Sequence, residues 1–174
     1  MNKLFGIGLL ISSLALFTLS GCGGGGGGTG GSPTTQQPTT AVLKLSTQGT
    51  LPQGTSIAGI GITINIPQGV TVKTDSTGAV LNTVVAPSGV AAQSTITPPV
   101  YTPATSSASG KLGFVLASTQ ANGFGTGEFV TVKCDVSAGT FPKATDFSLT
   151  DFKPVGLNGA AIAGLSATFT ADIK

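Results

Sequence analysis

Between Ile57 and Ile66 the chain reads Ile-Ala-Gly-Ile-Gly-Ile-Thr-Ile-Asn-Ile, with Ile60, Ile62, Ile64 and Ile66 separated by Gly61, Thr63 and Asn65. Successive side chains of an extended strand point to opposite faces, so this period of two gives one apolar face and one wetter face. A helix would scatter the same isoleucines around its circumference. The pattern recurs along the chain. Leu112, Phe114 and Leu116 alternate between Lys111 and Ala117, and Val130, Val132, Cys134 and Val136 alternate between Glu128 and Val136. In the last segment Leu165, Ala167, Phe169, Ala171 and Ile173 alternate with Ser166, Thr168, Thr170 and Asp172. No window carries a convincing 3.6-residue period with caps. The fold class that follows is all-β.

Further strands are expected at 41–47, 70–73, 79–85 and 147–152. Gly49-Thr50-Leu51-Pro52, Pro67-Gln68-Gly69 and Asp75-Ser76-Thr77-Gly78 supply turn chemistry between strands. Asn158-Gly159 separates Val155-Gly156-Leu157 from Ala160-Ala161-Ile162. It reads as a hairpin turn with positive φ at both positions. Residues 86–109 are rich in Pro, Ser and Thr. Their prolines predict edge strands or a long surface loop, because proline cannot donate to a sheet ladder. The count is about eight or nine short strands at turn-separated spacing, which predicts an antiparallel sandwich. Its core is expected to hold Ile60, Ile62, Ile64, Val130, Val132, Leu149, Phe169 and Ile173.

The first 40 residues are of another kind. Met1-Asn2-Lys3 opens a mostly apolar run to Leu19, followed by Ser20-Gly21-Cys22. A positive start, an apolar stretch and small residues before a cut describe a secretory signal peptide. Leu19-Ser20-Gly21-Cys22 also resembles the lipobox of bacterial lipoproteins. The resemblance implies cleavage after Gly21 and a lipid on Cys22, so the membrane is an expected partner. Gly23 follows Cys22. The Asp that would favour inner-membrane retention in a two-membrane bacterium is absent, which implies an outer-membrane or cell-surface location. Residues 22–40 hold the glycine run and Ser32-Pro33-Thr34-Thr35-Gln36-Gln37-Pro38-Thr39-Thr40. With no apolar side chain to bury, they are expected to be a disordered tether spanning on the order of 20–25 Å. The glycines do not make a phosphate loop, since no strand precedes them and no Gly-Lys-Ser/Thr follows. The organisation expected is therefore leader 1–21, lipidated Cys and tether 22–40, and a sandwich domain over 41–174.

Composition removes several classes of chemistry. There is no His, so the usual general base and commonest transition-metal ligand are missing. Charged residues make up only 8%, with eight Lys, no Arg and six acids, which leaves no electrostatic footprint for nucleic acid. A paired-carboxylate mechanism would draw on Glu128, Asp135, Asp146 and Asp151, all in turns or at strand edges where acids are normally solvated. Asp146 and Asp151 offer oxygen ligands but not the spacing of a calcium loop. No enzyme activity and no cofactor are expected. There is no Trp and one Tyr, Tyr101, so a flat aromatic strip for polysaccharide is not expected either. Cys134 alternates onto the apolar face and reads as a small buried residue.

The second half carries a family likeness. Gly110-Lys111-Leu112-Gly113-Phe114-Val115-Leu116 is followed by Gly123-Phe124-Gly125-Thr126-Gly127-Glu128-Phe129-Val130-Thr131-Val132. Phe147-Ser148-Leu149-Thr150-Asp151-Phe152, the Leu157-Asn158-Gly159 turn and a Thr/Phe-rich closing strand come next. This order resembles the cohesin domain, over about residues 41–174. It implies a jelly-roll β-sandwich and, from what cohesins do, a non-enzymatic module that binds a dockerin-like protein in cell-surface polysaccharide-degrading assemblies. No dockerin-contact residue is transferable from it. The expected function is a lipid-anchored cell-envelope display module. The alternatives are a polysaccharide-binding module and a structural envelope lipoprotein without a specific ligand. The expected binding surface is the 86–109 segment with Tyr101, together with the Phe124 loop. Phe124 in that glycine-rich loop is otherwise a core ring.

Overall fold

The computed structural model describes residues 36–174, which form ten strands in two antiparallel sheets of five. Cys22, Gly21, the leader and the tether up to Thr35 lie outside the described residues. The strands are β1 (Thr40–Gln48), β2 (Ile57–Ile66), β3 (Val70–Thr71), β4 (Val85–Pro87), β5 (Ser94–Ile96), β6 (Val100–Thr102), β7 (Gly110–Ser118), β8 (Glu128–Val136), β9 (Ser148–Gly156) and β10 (Ser166–Ile173). The first sheet runs β10-β1-β8-β3, with β4 on the same edge of β8. The second runs β9-β2-β7-β5, with β6 also on β7. Most consecutive strands lie in opposite sheets, so the chain crosses the sandwich repeatedly, as in a jelly roll.

The alternation read from the sequence decides which side chains meet in the middle. Leu43 and Leu45 of β1, Ile60, Ile62, Ile64 and Ile66 of β2, Leu112, Phe114 and Leu116 of β7, and Val130, Val132 and Cys134 of β8 are all buried. Burying each large aliphatic side chain contributes about 1.5–3 kcal/mol relative to exposing it. Phe129 is fully buried beside Val130, against strict alternation. The cause is a register shift in the β1–β8 pairing: Leu45 faces Val130, but Ser46 faces Glu128. The extra residue turns Phe129 inward.

Four expectations need correction. Leu149, Phe169 and Ile173 are only half-buried, because β9 and β10 are the edge strands along one side of the sandwich. Phe147 and Phe169 close that side edge to face, with ring centroids 6.5 Å apart at 69°. Residues 79–85 are not one strand. Val80 makes a single bridge to Thr74, the chain turns over 82–84, and β4 begins at Val85. The consecutive Val84 and Val85 are both buried, which a regular strand cannot do. Asp75 Oδ1 organises the preceding turn by accepting the N–H groups of Thr77 and Ala79, at 2.8 and 3.0 Å, and the Thr77 hydroxyl at 2.7 Å. At 156–160 the chain does turn back, but only Gly159 has positive φ, at 76°; Asn158 instead accepts the Ala160 N–H on Oδ1 at 3.0 Å. Its side chain holds the turn without the left-handed backbone. Finally, the contacts of the fold include residues before Ala41. β1 starts at Thr40, and Gln37 is already bonded to the 137–140 loop.

The Pro-rich 86–109 segment supplies β5 and β6, short strands that pair only with β7, at the free edge. β4 ends in Pro87 on the corresponding edge of the first sheet. Prolines sit where the ladder needs no donor.

Candidate functional site

The outer face of the second sheet is a shallow groove. Gly61 of β2 pairs with Val115 of β7, and Thr63 pairs with Gly113. These are outward positions, alternating with the buried Ile62 and Phe114. Two of the four carry no side chain, so the centre of the face is hollow. Thr97, Pro98 and Val100 wall it on one side, and Asp151 and Lys153 on the other, enclosing about 390 Å³. Val100 is 71% exposed and Val115 47%, which makes a small apolar rim.

Each wall is fixed by local structure. Thr97, between β5 and β6, donates its N–H to the Val115 carbonyl at 2.9 Å, and its hydroxyl accepts the Val115 N–H at 3.2 Å. Pro98 and Pro99 then stiffen the step into β6, where Val100 pairs with Gly113. On the far side β9 carries a bulge. Gly61 pairs with Lys153 while Thr63 pairs with Thr150, three residues away, so β9 has one residue too many. Asp151 absorbs it at φ 54°, the only non-glycine with positive φ among the described residues. Asp tolerates this conformation better than most residues, but at some cost. The bulge sets Asp151 on the groove.

The two glycines are not forced by the fold. A Cβ at Gly113 would find its nearest neighbour, Thr63 Oγ1, at 3.6 Å, and one at Gly61 would meet Lys153 and Val115 at 3.9 Å. Both distances are ordinary van der Waals contacts, and neither φ is positive. Gly59, on the same strand, is different, with the Leu116 carbonyl 3.0 Å from its would-be Cβ. Glycine weakens a strand interior and often marks a bulge or a close approach of another group; Gly61 lies at the β9 bulge, whereas Gly113 has no such local cause.

The residues singled out in the sequence are dispersed. Tyr101 lies in β6 opposite Leu112 and packs against the core. Its hydroxyl is buried without a hydrogen-bond partner, and the Val72 backbone approaches it without reaching hydrogen-bond geometry. Burial raises the phenol above its ordinary pKa, and Cys134 nearby adds to the rise. Phe124 is 6% exposed, with its backbone bridged to Ile57. Its ring belongs to the core, so the glycine-rich loop presents no aromatic surface there. Cys134 is buried without a disulfide partner among the described residues, and burial, then the neighbouring Asp135, pushes its thiol up to about 12.

The acids do not converge. Glu128 pairs with Lys44 and Asp135 with Lys73, each at 3.8 Å. Asp146 accepts the Lys143 N–H at 2.8 Å, and Asp151 lies on the groove. Among the described residues no three His, Cys, Asp or Glu side chains gather as metal ligands, and no helix is long and apolar enough to cross a membrane. What the groove offers is a small-residue trough with an apolar rim and one charge of each sign on one wall.

The 86–109 segment expected as a binding surface supplies one wall of the groove through Thr97, Pro98 and Val100; sequence reasoning missed Val115 and the Gly61–Gly113 pair. The available signal was parity: glycines at outward positions of two otherwise strong strands.

Neither a family model nor a curated protein matches the chain. Among solved structures it is similar to a non-cellulosomal cohesin from the hyperthermophilic archaeon Archaeoglobus fulgidus, at 14% identity over 72% of this chain and 74% of that one, with a TM-score of 0.46. The sandwich itself rests on its own strand pairing, two five-stranded antiparallel sheets closed over one apolar core.

Proposed function

We propose that this chain is a lipid-anchored, non-enzymatic display module of the bacterial cell envelope, and that it takes a protein partner in the groove on the outer face of its second sheet. One observation carries the reading: Gly61 and Gly113 leave open a trough that the fold has room to fill, beneath an exposed rim of Val100 and Val115. A partner strand or loop can approach the backbone there, and small apolar contacts at the rim supply affinity. The strand-and-turn order that resembles cohesins points to the same kind of partner, a dockerin-like protein. A polysaccharide would favour flat aromatic platforms, and the one aromatic residue lining the groove, Phe114, is 5% exposed with its ring in the core.

The anchor and the groove are tested separately. Replacing Cys22 by Ala and fractionating cells reads the anchor; unchanged membrane association sinks it. For the groove, the chain beginning at Cys22 is used as bait beside a polysaccharide panel, with Gly113→Val and Lys44→Ala as paired variants. A protein captured by the wild type and by Lys44→Ala, but lost on Gly113→Val, supports the site. Retention on insoluble polysaccharide with no such protein reverses the reading.

A further inference from the structure

Among the described residues Phe141 is the only aromatic ring standing in solvent, at 53% exposure. It lies in the 137–143 loop after β8. With Pro38, Pro142 and Ile173 it lines a shallow apolar groove of about 600 Å³, completed by Gln36 and Lys174. Gln36 is the first described residue, so the link to Cys22 joins the body beside this ring. The junction is tied down. Gln37 Nε2 donates to the Thr140 carbonyl at 2.9 Å, and its Oε1 accepts the Gly139 N–H at 2.9 Å. The Thr40 N–H donates to the Lys174 carbonyl, also at 2.9 Å. The departing chain and the loop that presents Phe141 are therefore one unit. Of the charges around them, Lys174 Nζ is 2.6 Å from Asp172, while Asp146 accepts only the backbone N–H of Lys143, whose ammonium has no ion-pair partner among the described residues.

We propose that this pole of the body docks on the bilayer surface, with Phe141 and its proline collar entering the headgroup region. This deepens the anchored-module reading and rests on a lipid at Cys22. Thirteen residues separate Cys22 from Gln36, and a glycine-rich chain of that length reaches on the order of 20 Å. Tethering at that reach holds the ring near the membrane at an effective concentration on the order of millimolar. A contact too weak to recruit a free protein is then enough to orient an anchored one. Phe lacks the polar tip of Trp and Tyr, but an exposed apolar ring gains by leaving water for the headgroup–acyl boundary. The contact is apolar, so on a zwitterionic surface it needs no anionic lipid and survives added salt; the Lys143 ammonium beside the ring would add a salt-sensitive attraction only where anionic lipid is present. It leaves the second-sheet groove, on the flank of the sandwich, free for a partner.

The chain contains no Trp, so Phe141→Trp is a clean reporter. The chain from Cys22 is coupled through that cysteine to a maleimide lipid in phosphatidylcholine vesicles. Cys134, 2% exposed with a thiol pKa of about 12, does not compete for the reagent. Leu157→Trp, on the turn at the opposite pole, is the control. The expected result is a blue shift and quenching by brominated acyl chains at 141 but not at 157, unchanged in 0.5 M salt (a level at which, by order of magnitude, roughly 4 Å Debye screening applies). Absence of quenching at 141, or equal quenching at both sites, overturns the proposal. So does a spectral change with polysaccharide and none with vesicles, which would assign the ring to a sugar. Chemical coupling keeps this test independent of whether cells lipidate Cys22, which the fractionation experiment reads.

Discussion

The two sheets present the same face inward and opposite faces outward. On the first sheet the outward positions of β1 and β8 include Lys44, Ser46, Thr131, Lys133 and Asp135, with Thr170 and Asp172 beside them on β10. Lys44 pairs with Glu128 there, and Lys73 with Asp135. That is a solvated face whose charges answer one another. On the second sheet the corresponding row is Gly61, Thr63, Gly113 and Val115, hollow and partly apolar. Both sheets satisfy the same core, so folding does not explain the difference. An outer face that serves only solubility is covered in mixed charge; the one kept small and uncharged at its centre is the face that we propose a partner takes.

The comparison breaks first if the inner faces are not equivalent. Leu43→Ala in the first sheet and Ile64→Ala in the second, both fully buried, should each cost about 2–5 kcal/mol in urea unfolding. A large gap between them would mean that one sheet carries the fold and the other is an adornment. The outer faces should then diverge. Gly113→Val should lower partner affinity at least tenfold, roughly 1.4 kcal/mol, with the unfolding midpoint unchanged or raised. Gly61→Ala should gain about 0.4–1 kcal/mol of stability while weakening capture. If either substitution destabilises the protein, the glycines serve the fold and the site loses its main support.

Cys134 sharpens the inner half of the comparison. Its thiol is protonated in the folded protein up to about pH 12, against an ordinary value of 9.0. The unfolded chain ionises first. Stability is therefore fully present below pH 9 and is lost progressively as pH rises towards 12. Tyr101, also raised by burial, contributes with the same sign. Cys134→Val should flatten the alkaline limb of a stability–pH curve measured by denaturant titration. An unchanged limb would place the loss elsewhere. The smallest effect belongs to the charged outer face: Lys44→Ala, removing an exposed pair, should change stability by no more than about 0.5 kcal/mol and leave capture intact.

The strong strands were readable because alternation is a local property with a global consequence. Ile60 to Ile66, Leu112 to Leu116 and Val130 to Val136 announce both strand and inward face, and the structure buries them as expected. Alternation and burial part company where one residue is gained or a partner is missing. Phe129 turned inward through a bulge. The bulge at Asp151 joined two apparent strands into β9. Phe169 and Ile173 obey alternation but stay half-buried, because an edge strand has a neighbour on one side only. Phe124 sat in a glycine-rich loop that pairs with Ile57 across 67 residues of sequence, a contact that no local pattern encodes.

The chain by itself determined the period of two, the turn chemistry, the absence of histidine and the break in character near residue 40. These depend only on side-chain type and on backbone geometry within a few residues. Which outward faces become a surface was decided by tertiary structure. Gly61 and Gly113 lie 52 positions apart, and only the β2–β7 register sets them across one trough. Val100 joins the rim only because β6 pairs with β7 at Gly113. Likewise Phe141 stands beside the point where the chain leaves the body only because Gln37 bonds the 137–140 loop. Register and pairing are choices among distant segments, made by the closing of a shared core, and no window of the sequence contains both partners.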